Sequence, residues 1–202
     1  IDYKKKEVLL KRGTASGILP SILSIGPDKP RPNTKLISNT YKFIDTLINK
    51  EDKYDALRDF LDKKHPKIKG VKTGDKIISS EDFKTEIPKI ISNLDNSYIY
   101  IQGPPGTGKT YQASNAIIEL LKKNKKIGIT GLSHKVIHNL LQRVEDMAEE
   151  KQFNFEGYKR GTLEDEDTVF NGEFIKTYEK DPVFMDALKE KDVGQIFAGT
   201  KY

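Results

Sequence analysis

The sequence predicts an α/β fold organised on a parallel sheet, and two observations carry that expectation. From residue 97 onward, short apolar runs alternate with amphipathic stretches as strand, helix, strand, helix within about fifty residues, an order that requires crossover connections and parallel pairing. Between the first of those strands and the first of those helices lies a glycine-rich octapeptide, Gly103-Pro104-Pro105-Gly106-Thr107-Gly108-Lys109-Thr110. Composition sets the limits. A chain of 202 residues can bury one sizeable core with an accessory piece. No apolar run approaches the ~20 residues of a membrane span, so no membrane role is expected. Cysteine is absent, which excludes a disulfide framework and Cys-ligated zinc or iron–sulfur centres and makes a cytoplasmic setting the expectation. The first residue is Ile1, no signal-like segment follows it, and the chain reads as a piece of a longer protein. The net charge of +5 comes from 35 Lys plus Arg against 30 Asp plus Glu, an intermixed surface that does not by itself specify a polyanionic partner.

Taken in order, residues 1–35 read as the end of a preceding domain plus a connector. Val8, Leu9 and Leu10 follow a basic run and suggest a strand, and Gly17, Pro20, Gly26, Pro27, Pro30 and Pro32 then forbid a long helix. Residues 36–96 form a helical lead-in: Leu36, Ile37, Tyr41, Phe43, Ile44, Leu47 and Ile48 recur at helical spacing, as do Tyr54, Leu57, Phe60 and Leu61. After a polar loop, Phe83, Ile87, Ile90, Ile91 and Leu94 predict another helix that Pro88 should start or kink. The core is expected over 97–148. Tyr98-Ile99-Tyr100-Ile101 reads as a buried strand, and Ala113, Ala116, Ile117, Leu120 and Leu121 mark a helix face. Ile127-Gly128-Ile129-Thr130 reads as a second strand, and Val136, Ile137, Leu140, Leu141, Val144 and Met147 as a helix capped by Ser133. Residues 149–192 look like a polar insertion or accessory arm with a short helix from Pro182 to Lys189, and 193–202 like the next core strand, cut short.

The octapeptide fits the P-loop pattern G-x-x-x-x-G-K-[ST] at every fixed position and in the required strand-to-helix setting. Polyphosphate concentrates charge, so the backbone must bend to aim successive N–H groups at it, and glycines permit that approach. Gly103, Pro104, Pro105, Gly106, Thr107, Gly108, Lys109 and Thr110, with Tyr111 just beyond as a flank of the base or a packing residue, are the candidate nucleotide site. Lys109 would reach the β- and γ-phosphates and the Thr110 hydroxyl would sit on Mg²⁺, which makes these two the catalytic candidates. No apolar strand ending in a carboxylate is visible. The acidic run Leu163-Glu164-Asp165-Glu166-Asp167 has no strand before it and reads as a solvated loop. His134 and His138, four apart, could share a metal, but no third ligand accompanies them.

The stretch YIYIQGPPGTGKTYQASNAIIELLKKNKKIGITGLSHKVIHNLL resembles motifs I and Ia of superfamily 1 helicases of the 5′-to-3′ type, and more narrowly bacterial proteins in which a RecB-like nuclease domain precedes such a helicase. The resemblance is carried by Ser133, His134, Lys135, Asn139, Leu140 and Leu141 beyond the loop, and by Phe197-Ala198-Gly199-Thr200. It implies a RecA-like P-loop NTPase core, ATP or another NTP, Mg²⁺, and a track of single-stranded DNA or RNA; the oligomeric state is left open, with a monomer favoured. It also implies that Ser133, His134, Lys135 and Thr200 contact the strand. The adenine-reading glutamine of that family is not evident between Lys76 and Asp95, which leaves the base open. The alternative is an AAA+ or McrB-like oligomeric motor, whose loops share this octapeptide; a scaffold that keeps a nucleotide as a structural prop is a third reading.

Overall fold

A computed structural model describes residues 33–190 and 193–200. The expected strand at Val8–Leu10 and the connector up to Pro32 lie outside the described residues. All elements below belong to one compact unit, Thr34–Tyr202.

The lead-in comprises α1 (Thr34–Ile48), α2 (Asp55–Leu61) and α3 (Phe83–Ser92). Arg58 of α2 donates to the carbonyls of Thr46 (3.1 Å) and Glu51 (2.5 Å), so one guanidinium closes the turn between α1 and α2. Asp59, buried, pairs with Lys67 at 2.9 Å and ties α2 to the loop that follows. In α3, Pro88 stands inside the helix without ending it. Proline cannot donate to the carbonyl four residues back, that of Lys84, and the Asn115 side-chain amide takes its place at 2.7 Å.

The core is α/β. α4 (Lys109–Leu121), β1 (Lys126–Gly131), α5 (His134–Glu150), β2 (Glu156–Arg160), a 3₁₀ turn (Glu166–Thr168), β3 (Ile175–Tyr178), α6 (Asp181–Lys189) and β4 (Gln195–Thr200) follow in order. All pairings are parallel, in the order β1-β4-β2-β3. Gly131 at the end of β1 lies opposite Thr200 at the end of β4, and Lys159 of β2 lies opposite Ala198. Helices α4 and α5 supply Ile117, Ile118, Leu121, Ile137, Leu141, Val144 and Met147 to a core shared with Ile175, Ile196, Ala198, Phe155 and Phe170. That arrangement is what the 3.6-residue periodicity of both helices anticipates.

Two expectations are corrected. Tyr98–Ile101 is not a strand: no described strand pairs with it, Tyr100 is 70% exposed, and Tyr98 is engaged by the lead-in instead. Its ring meets Phe60 edge-on at 5.3 Å and its hydroxyl donates to the Lys64 carbonyl at 2.8 Å. Strand propensity reports a fit to a pleated, half-buried surface, and without a neighbouring ladder it has nothing to act on. Residues 149–192 are also not simply an arm, since β2 and β3 within them are strands of the main sheet and β2 lies between β4 and β3.

Candidate functional site

Two groups of candidates stand at the N-termini of two successive helices, α4 and α5. At the start of α4, Gly106 (φ 82°) and Gly108 (φ 76°) hold the left-handed conformation that a side chain rarely adopts. Gly103 is glycine for a different reason: a Cβ there would stand 2.5 Å from Thr107 Oγ1. That hydroxyl donates to the Pro104 carbonyl at 2.8 Å, and Lys109 Nζ donates to the carbonyls of Gly103 (2.5 Å) and Pro104 (2.6 Å), so the loop is closed over its own lysine. Gly108, as N-cap, brings no side-chain acceptor to the first turn of α4, whose N–H groups therefore retain their pull on an anion. Pro105, Lys109 and Thr110 are exposed. Tyr111 turns away toward packing. Arg143 of α5 and Lys84 of α3 stand over its ring at 5.3 and 5.4 Å, and it lines a cavity of about 500 Å³ between α3 and α4.

The second group gathers at the carboxyl ends of the parallel strands, where open α/β sheets place their ligands. Ser133 is in extended conformation (φ −147°) and caps α5, its Oγ accepting from Val136 N at 3.3 Å. His134 follows half-buried and Lys135 exposed. A cavity of about 280 Å³ is lined by His134, Thr200, Arg160, Gly161, Thr162, Thr168 and Glu179. The structure thus brings His134 and Thr200, some 66 positions apart (200 − 134) in the chain, to one place.

Arg160, on the cavity wall, and Lys159, beneath it, were not singled out by the sequence. Lys159 is fully buried; its Nζ donates to the Thr168 carbonyl and lies 2.8 Å from His134 Nδ1. Burial brings its ammonium down from an ordinary 10.5 to about 8, with Asp165 acting weakly in the other sense. His134 is also lowered from 6.5, first by burial and then by the charge of Lys159. The one available signal was Lys159-Arg160-Gly161, a basic pair closed by glycine, in a segment that otherwise reads as loop. His138 lies one turn along α5, its ring 6.1 Å from that of His134 and 5.5 Å from Phe170.

Among the described residues, no group of three or more His, Cys, Asp or Glu is placed to hold a metal ion, so the histidine pair stays incomplete as a ligand set. None of the four described strands ends in a carboxylate; Glu179, just after β3, accepts instead from the Leu163 N–H at 2.5 Å. No described helix is long and apolar enough to cross a membrane. Compared with known proteins, the chain matches no family model, and neither a curated protein nor a solved structure is significantly similar to it.

Proposed function

We propose that this chain is the nucleotide-binding part of an NTP-driven helicase or translocase that moves on single-stranded nucleic acid, DNA before RNA. The observation that carries the reading is the loop before α4, where two left-handed glycines, an uncapped helix start and Lys109 converge within the seven residues from Gly103 to Lys109. In this reading, a triphosphate replaces the Gly103 and Pro104 carbonyls as the partner of Lys109. The exposed Thr110 hydroxyl suits Mg²⁺, which takes few protein oxygens when phosphates supply the rest. Bound there, the ion would supply neutralising charge to the phosphates. Thr110 would hold it and Lys109 would orient the phosphates.

The strand track is assigned to the other site. Ser133, Lys135, Thr200 and the cavity wall at Arg160 present donors at the sheet's carboxyl edge, a setting suited to phosphodiester oxygens. Calorimetric titration of Mg·ATP tests the first half. Lys109→Ala is expected to abolish measurable binding; equal affinity in variant and wild type overturns the assignment.

A further inference from the structure

Behind two residues that line the cavity at the strand ends, His134 and Thr168, lies the buried ammonium of Lys159. Lys159 is fully buried, and among the described residues no ion pair reaches it. Its contacts are the Thr168 carbonyl and, at 2.8 Å, His134 Nδ1. An ammonium has donors only, so Nδ1 must be the acceptor of that bond, and an imidazole that accepts at Nδ1 carries its proton on Nε2. Protonating Nδ1 would set an N–H against an ammonium 2.8 Å away. We propose that Lys159 is a positioning residue that locks His134 as the neutral Nε2–H tautomer, so that the turn entering α5 offers a phosphodiester a neutral hydrogen-bond donor in place of a second cation.

The other groups facing His134 agree with this. Lys135, next along α5, is exposed, Arg160 stands on the cavity wall, and His138 is itself lowered by burial, Lys159 and His134. Asp165, ahead of the 3₁₀ turn, pulls His134 the other way and ranks below both burial and Lys159. Glu179 lines the cavity with its carboxylate held by the Leu163 N–H. A neutral donor fixes the position of a phosphate without adding to counterion release, whereas each cation on a single strand adds about 0.7 to the salt slope. The two neighbours His134 and Lys135 thus divide the work between placement and charge.

The inference rests on the strand reading of this site, and its test separates the two. Imidazole nitrogen shifts of the wild-type protein at pH 7 are expected to show His134 neutral, with Nδ1 bare and Nε2 protonated. An Nδ1–H tautomer or an imidazolium overturns the proposal. In Lys159→Met the His134 titration is expected to move up toward 6.5 while Lys159→Arg retains the wild-type tautomer; an unmoved titration in a folded Lys159→Met protein overturns it. Where Lys159→Met fails to fold, the wild-type shifts and Lys159→Arg decide the matter. Anisotropy with a labelled oligothymidylate forms the second arm. His134→Gln is expected to leave the salt slope unchanged and Lys135→Ala to lower it by about 0.7. No binding by a wild-type protein whose His134 has the expected tautomer refutes the strand reading alone, and an equal fall in slope for His134→Gln refutes the neutral donor.

Discussion

Pro88 removes one N–H from the middle of α3, and its effect is felt in a different helix. The Lys84 carbonyl it leaves is taken by Asn115 of α4, whose own Oδ1 accepts from Lys151 at 2.7 Å; Lys151 also reaches Glu119 at 3.1 Å. Asn115 is buried, and its loss would remove the side-chain partner of the Lys84 carbonyl. Asn115→Ala is expected to destabilise the protein by about 1 kcal/mol, the net worth of a part-buried hydrogen bond. Pro88→Ala restores an N–H that can reach the Lys84 carbonyl along the helix, so in that background Asn115→Ala should cost less. A double-mutant cycle by urea denaturation measures the difference, and strictly additive effects would show that the two residues do not share this carbonyl.

Among the elements, the helices were legible and the middle of the sheet was not. Leu141, Val144 and Met147 announce α5 by spacing, Ser133 supplies its cap, and the glycines of the loop before α4 are visible as a motif because each backbone position needs them. By contrast, β2 is Glu156-Gly157-Tyr158-Lys159-Arg160, with no β-branched residue and two cations. It is held by ladders on both sides, and no local pattern reports that. Lys159 was unreadable for the same reason: a lysine in a polar stretch gives no sign that its side chain will be enclosed. Tyr98–Ile101 fails in the opposite sense, with strong propensity and no partner. The approach to β3 shows how distant groups replace local signal. Glu145 of α5, buried, accepts from the N–H groups of Glu173 (2.8 Å), Phe174 (3.1 Å) and Ile175 (2.8 Å), and a side chain at Gly172 would strike that carboxylate. Glu145→Ala should cost about 3 kcal/mol through three orphaned donors. Amide exchange at 173–175 should accelerate ahead of the α5 core; unchanged protection there would refute the anchoring role.

For the whole molecule, the buried ammonium makes folding stability depend on pH in a way that surface lysines cannot. Lys159 titrates near 8 in the folded protein and at its ordinary 10.5 when unfolded, so between those values the unfolded chain holds more protons. Stability must then rise with pH over that interval, because alkali removes the penalty of enclosing the charge. Tyr158 opposes this at higher pH. Burial, followed by the Glu156 carboxylate, pushes its phenol from 10 to about 12, so above 10 the unfolded chain loses a proton that the folded one keeps, and stability falls. His134 and His138, lowered from 6.5, act only on the acid side, where stability declines as pH drops below that value. The sum is a plateau near neutrality, a rise from about pH 8 and a maximum near pH 10. Urea midpoints across pH 7 to 11 should trace this curve in the wild type, and Lys159→Met should remove the rise while leaving the fall above pH 10. If the variant keeps the rise, the charge beneath the cavity is not the group being relieved, and the ammonium facing His134 must be better hydrated than its enclosure between β2 and the 3₁₀ turn implies.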